Sequence, residues 1–183
     1  IRLSLVGSEM CIRDSERISK QLKKIKNTVN IFWFRRDLRL EDNHGLFQAL
    51  NSDYPVIALF IFDTHILDTL NDKSDARVSF IFHRLNEINN ALKKFKSSLL
   101  ILVGEPESIC KDLIRMLNVH CFYTNHDYEP YAIARDEKIK KTLTEKQIRF
   151  KTFKDQVIFE KDEILTNEEK PVSYTHLTLP TNR

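Results

Sequence analysis

The residues best suited to chemistry fall in short clusters, each directly behind an apolar run. Arg35-Arg36-Asp37 follows Val29–Phe34, Asp63-Thr64-His65 follows Val56–Phe62, Gly104-Glu105 follows Leu99–Val103, and Asn125-His126-Asp127 follows Val119–Tyr123. The densest stretch is FWFRRDLRLEDN (Phe32–Asn43), where Arg35, Arg36 and Arg39 stand among Asp37, Glu41 and Asp42. Guanidinium forks pair with carboxylates or with phosphates. The stretch therefore reads either as a salt-bridge lattice at a strand end or as an interface to a ligand or a second domain. Other chemistries lack their parts. The only glycines are Gly7, Gly45 and Gly104, so neither G-x-G-x-x-G nor a Walker loop can be written. No C-x-x-C pair occurs, and His44, His65, His83, His120 and His126 show no metal-ligand spacing, so no metal is expected. Cys110 and Cys121 read as small buried hydrophobes, and no Ser-His-Asp or Cys-His set follows from residue order.

The elements that must position these clusters alternate. Val29–Phe34, Val56–Phe62, Leu99–Val103 and Val119–Tyr123 are short and apolar on both faces, as strands of a buried parallel sheet are. A weaker fifth strand is expected at Ile148–Phe153. Between them, a short helix is predicted over Asn43–Leu50, with Asp42 or Asn43 as its N-cap. The longest helix spans about Asp75 to Lys96, with Val78, Ile81, Leu85, Ile88, Leu92 and Phe95 three or four residues apart. Pro106 and Pro130 each open a further helix at its first position, the latter running to about Leu143. The alternation implies an α/β fold with a doubly wound, five-stranded parallel sheet, Rossmann-like and in a single domain. Ligands of such sheets sit beyond the carboxyl ends of the strands, near the point where strand order reverses, which is where the polar clusters lie.

Composition narrows the classes. With 183 residues, 42% of them hydrophobic, the chain can bury a core and is too apolar for a disordered one. No apolar run approaches the roughly 18 residues of a membrane span, and the location expected is cytoplasmic. The net charge of +3 is unevenly spread. Residues 1–26 hold seven Lys/Arg against three Asp/Glu, and Arg183 adds one more positive charge, so residues 27–182 sum to −2. The basic run from Glu16 to Lys26 reads as a frayed amphipathic helix or a solvated tail. The nearly neutral body is not a broad nucleic-acid footprint. Residues 1–15 and 172–183 are unlike the middle and resemble translated sequencing-adaptor segments; both are expected to be foreign.

FWFRRDLRLEDN, ALFIFDTHIL (Ala58–Leu67), DARVSFIFHRL (Asp75–Leu85) and NHDYEPYAIARDE (Asn125–Glu137) resemble, in order and spacing, the signatures of the N-terminal α/β domain of the DNA photolyase/cryptochrome family. FKDQVIFEKDEI (Phe153–Ile164) is similar to the start of the linker that leaves that domain. The resemblance divides the chain into a non-family segment (1–28), the α/β domain (29–171) and a foreign-looking tail (172–183). Within the domain, the sheet core ends near residue 155 and the interdomain linker follows. It implies a light-harvesting domain with an antenna chromophore held by Phe62, Asp63, Arg77, Asp127 and Glu129. Carboxylates there would accept from ring N–H or ribityl hydroxyls, and Arg77 would donate to a ring carbonyl. Helix capping ahead of Pro130 is an equally ready role for Asp127 and Glu129. The folate-type site of the family uses an Asn-Glu pair where this chain has Tyr131 and Ala132. A deazaflavin- or flavin-type antenna is therefore expected rather than folate, unless there is none. The strand-end residues Arg35, Arg36, Asp37, Arg39, Asp42 and Asn43 are assigned to the interdomain side.

The resemblance further implies a helical domain in cis that binds FAD and receives the pyrimidine dimer of damaged DNA. The parent would be a light-driven carbon–carbon lyase. None of that domain lies within these residues, and Trp33 as the only Trp leaves no tryptophan relay. The chain is thus expected to be a fragment that does not itself bind FAD, has no catalytic residues and is inactive alone. Alternatives are the same domain of a cryptochrome photoreceptor and, on fold alone, a generic nucleotide-binding or electron-transfer α/β module.

Overall fold

Strands that are apolar on both faces need helical cover on both, and the chain supplies it. The computed structural model describes residues 15–70, 75–160 and 163; both ends expected to be foreign lie largely or wholly outside them. Helix α1 (Ser15–Leu22) precedes β1 (Val29–Phe34), α2 (His44–Leu50), β2 (Val56–Asp63), α3 (Thr64–Leu67) and α4 (Ala76–Lys94). Then follow β3 (Leu99–Gly104), α5 (Pro106–Met116), β4 (Val119–Asn125), α6 (Pro130–Glu145) and β5 (Arg149–Phe153). The strands form one parallel sheet in the order β3-β2-β1-β4-β5. The order reverses between β1 and β4. This is the α/β fold with a five-stranded, doubly wound parallel sheet that the alternation implies.

Successive side chains of a strand take opposite faces. Ile31 and Trp33 of β1 pack with Ile57, Leu59 and Ile61 of β2 beneath α5 and α6, where Leu113, Ile139 and Leu143 are buried. Phe32 and Phe34 join Phe60 and Phe62 on the other face, beneath Leu46 and Ala49 of α2 and Leu85 and Ile88 of α4. The first part of the basic run, to Leu22, lies in α1, whose Leu22 is fully buried in the first core while Lys20 faces solvent. That anchor makes the segment more than a solvated tail.

Three local features differ from the periodic reading. Strands β2, β3 and β4 run one or two residues further, to Asp63, Gly104 and Asn125. Helix α3 is new: Asp63 Oδ1 accepts from His65 N at 3.0 Å and caps a single turn too short to show a period. Residues 154–160 run on from β5 to contacts beyond the carboxyl ends of β1 and β4. There Asp155 accepts from Arg39 at 2.7 Å and from His44 N at 3.0 Å, and Glu160 meets His126 at 2.5 Å and Tyr128 at 2.7 Å. Among the described residues, no helix is long and apolar enough to cross a membrane.

Candidate functional site

The crevice at the β1/β4 reversal is filled by the protein itself. Arg35 donates to Asp136 at 2.9 and 2.6 Å and to the carbonyl of Asn125. The buried Asn125 amide donates to Asp37 at 2.6 Å and to Asn43 at 2.9 Å, while its oxygen accepts from Gly45 N at 2.8 Å. Asn43 in turn caps α2 by accepting from Leu46 N at 3.1 Å. A Cβ on Gly45 would lie 2.5 Å from the Asn125 oxygen, so only glycine allows this approach. Arg39 holds Asp155 and also donates through Nε to the carbonyl of Asp42, which has a positive φ of 49°. The space left at the reversal is about 10 Å³, room for one water. The arginine-rich stretch is therefore a salt-bridge lattice among the chain's own residues.

The larger opening lies one strand over, beyond β1 and β2. It is a mainly apolar cavity of about 360 Å³ between α3, the start of α4 and the first turns of α6. Phe60, Phe62, Ile66, Leu67 and Ile81 form much of its lining. All five residues assigned to a chromophore, Phe62, Asp63, Arg77, Asp127 and Glu129, line this one cavity. Of the strand-end residues, Arg35 and Arg36 reach it, whereas Asp37, Arg39, Asp42 and Asn43 do not.

Each polar group already has a local partner. Asp63 is buried, and its second oxygen accepts from the Tyr131 hydroxyl at 2.8 Å with Arg135 Nη1 at 3.6 Å. Burial, together with that hydrogen bond, pushes the Tyr131 phenol up to about 12. Arg77, at the exposed start of α4, grips its own N-cap Asp75 at 2.6 Å, and these hydrogen bonds hold the Asp75 carboxyl down at about 2. Arg36 bridges the loop ahead of α6, with Nε 3.3 Å from Asp127 and Nη2 3.5 Å from Glu129. Asp127 accepts from Glu129 N at 3.3 Å, but the Glu129 side chain makes no cap bond to α6. The Glu129 carboxylate, which a capping role would direct at backbone N–H groups, instead faces Arg36.

Trp33, Tyr131 and Arg135 belong to the cavity and were not among the residues assigned to it. The Arg135 and Arg35 guanidiniums lie 4.8 and 5.2 Å from the Trp33 ring centre, within cation–π range. A signal for Arg135 exists in the sequence. The buried face of α6 is Ala132, Arg135, Ile139 and Leu143, and an arginine within an apolar stripe requires a buried acceptor. Among the described residues no group of His, Cys, Asp and Glu is placed to hold a metal. Cys110 and Cys121 are buried, and burial pushes the Cys110 thiol up to about 12, which leaves it unreactive.

The cavity can take a planar ring against phenylalanine and aliphatic walls. Carboxylates and arginines at its rim can meet ring N–H groups, carbonyls and hydroxyls. Comparison with known proteins bears on what the cavity could hold. A family model described as DNA photolyase matches residues 30–176. A deoxyribodipyrimidine photo-lyase of Synechococcus sp. is 36% identical over 143 residues, which is 78% of this chain and 29% of the relative. Cryptochrome-1 of Arabidopsis thaliana is 29% identical over 148 residues, 79% of this chain and 21% of the relative. The crystal structure of an archaeal photolyase from Sulfolobus tokodaii superposes with a TM-score of 0.67 at 37% identity, covering 76% of this chain and 32% of that one. That structure is described as holding two FAD molecules and as implicating a novel light-harvesting cofactor. The chain thus spans about a third or less of the length of these relatives.

Proposed function

The chain belongs to the DNA photolyase family, and on that premise we propose that it is a light-harvesting domain whose 360 Å³ cavity holds an antenna chromophore of deazaflavin or flavin type. One observation carries this reading: Phe62, Asp63, Arg77, Asp127 and Glu129, spread over β2, α4 and the loop ahead of α6, converge on one mainly apolar cavity at the strand ends. The donor set fits such a ring. Phe60 and Phe62, in edge-to-face contact at 5.0 Å, offer an aromatic wall. Asp127 and Glu129, oriented by Arg36, are acceptors for ring N–H groups or ribityl hydroxyls. Arg77 can exchange Asp75 for a ring carbonyl, since its side chain is exposed and free to turn. When bound, the chromophore absorbs near-ultraviolet or blue light and passes the excitation on.

In the whole protein the recipient is FAD in a helical domain in cis, and the reaction is repair of pyrimidine dimers in damaged DNA. The photo-lyase relative supports that assignment. The match to Cryptochrome-1 supports a second reading, in which the same domain serves a blue-light photoreceptor. Tyr131 and Ala132 stand where a folate-type site needs Asn and Glu, and Tyr131 is engaged with Asp63. That favours the flavin-like occupants.

The test is the double variant Asp127→Ala with Glu129→Ala. Because the pair caps nothing through the Glu129 side chain, the circular dichroism and melting temperature should change little. Chromophore uptake should fall by about ten-fold or more, the loss of two charged hydrogen-bond acceptors. Unchanged uptake by a folded variant removes both carboxylates from the site.

A further inference from the structure

The loop ahead of α6 has two sides. Its residues alternate in what they touch, the two-residue period of an extended chain. Asp127 and Glu129 line the cavity and meet Arg36 at 3.3 and 3.5 Å. His126 and Tyr128 converge instead on a single atom of the segment after β5. Glu160 Oε1 lies 2.5 Å from His126 Nδ1 and accepts from the Tyr128 hydroxyl at 2.7 Å. Neither these two residues nor Glu160 lines the cavity. His126 is tied further to β5 and its continuation. Its N–H donates to the carbonyl of Phe153 at 2.7 Å, its Nε2 lies 2.9 Å from the Thr152 hydroxyl, and Gln156 donates to its carbonyl at 3.2 Å.

The two sides hold the loop unequally. Arg36 and Glu129 are each 59% exposed, and an exposed ion pair at 3.5 Å fixes little. His126 and Glu160 are only 33% and 22% exposed, and their contact shares its oxygen with Tyr128 in one small network. We propose that Glu160 is a positioning residue for the cavity: through His126 and Tyr128 it sets where Asp127 and Glu129 stand, so that the segment leaving β5 and the cavity are coupled. The proposal rests on the reading of the cavity as an antenna site and adds a residue outside the cavity that governs it. His126 and Tyr128 flank Asp127, so the backbone there cannot turn that carboxylate away without breaking a hydrogen bond to Glu160. When the segment is drawn off, Asp127 and Glu129 lose their fixed places, and a bound ring loses two pre-set acceptors. The coupling is reciprocal: a chromophore that holds Asp127 and Glu129 in place also holds residues 154–160 on the domain.

The experiment titrates the chain with FMN and with a 5-deazaflavin, and takes the tighter of the two as the probe. The variants are Glu160→Ala, Glu160→Gln and Asp127→Ala/Glu129→Ala, and the first is also combined with the last. Glu160→Ala should weaken the probe about five-fold, the lower end of couplings between sites. Its melting temperature should change little, because the segment lies outside the sheet. Glu160→Gln, which keeps an oxygen acceptor, should recover part of the loss. In the Asp127→Ala/Glu129→Ala background, Glu160→Ala should cost nothing more, since no carboxylate is left to position. Saturating probe should raise the protection factors of amides in residues 154–160 of the native chain by about the same five-fold. If the probe binds the native chain and Glu160→Ala equally, or if the losses add in full in the combined variant, Glu160 does not act through the loop and the antenna reading stands. If neither ligand binds the native chain, the antenna reading and this extension of it fall together.

Discussion

Asn125 is where the residue scale decides most. Its amide joins β4 to the Arg35–Asn43 turn and to the first turn of α2, and every partner is buried or nearly so. Asn125→Ala should orphan the buried Gly45 N–H and take one of three donors from Asp37, which keeps Arg35 N and Asn43, and cost about 1–3 kcal/mol in a denaturant titration. Asn125→Asp should cost more, since a second carboxylate would face Asp37. A change within about 0.5 kcal/mol, the size of an ordinary surface substitution, would show that the lattice does not hold the turn. Gly45→Ala should produce the same phenotype by displacing the Asn125 oxygen. This dense packing leaves room for no more than one water at the reversal of strand order, and the cavity opens beside β2.

At the scale of elements, what was legible in the sequence was local. Continuous apolar runs marked four of the strands and the weaker Ile148–Phe153 pattern the fifth, while Asp42 or Asn43, Pro106 and Pro130 marked three helix starts because caps and prolines act within one turn. Helix α3 was not legible, for a four-residue turn has no period to read. The residues assigned to a chromophore were singled out because they match family motifs, and Asp63 and Asp127 also because they follow strands. The pairing of Asp63 with Tyr131, 68 residues apart, depends on sheet order and could not be read locally. The same holds for Arg36, which the sequence assigns to the strand-end lattice but which reaches over to Asp127 and Glu129.

The segment 154–160 is the element whose hold on the domain can be titrated. Burial alone would raise the Glu160 carboxyl, but hydrogen bonds from Tyr128 and His126 outweigh it and hold the group below its ordinary value of 4.5. A carboxylate depressed in the folded state stabilises above its unfolded value and loses that contribution as pH falls through the folded one. Protection factors of the amides in residues 154–160, corrected for the intrinsic exchange rate at each pH, should therefore fall as the pH is lowered past 4.5, ahead of those in the central strands. Glu160→Gln should raise exchange at neutral pH and flatten the dependence. Equal protection of the segment at high and low pH would mean that Glu160 does not clasp it.

For the whole molecule, the sheet, its two cores and the strand-end lattice form a rigid support, and the cleft between α3, α4 and α6 is the part that can be occupied. Trp33, the single tryptophan of the chain, lines that cleft and reports on it directly. A chromophore that absorbs in the near ultraviolet accepts excitation from tryptophan at contact distance. The decisive measurement is therefore a titration of the chain with a flavin and a deazaflavin, read as quenching of Trp33 emission. Saturable quenching at one chromophore per chain, lost in Asp127→Ala/Glu129→Ala, is the predicted result. Quenching that rises linearly without saturation, or that persists unchanged in the double variant, would contradict an antenna site in this cleft.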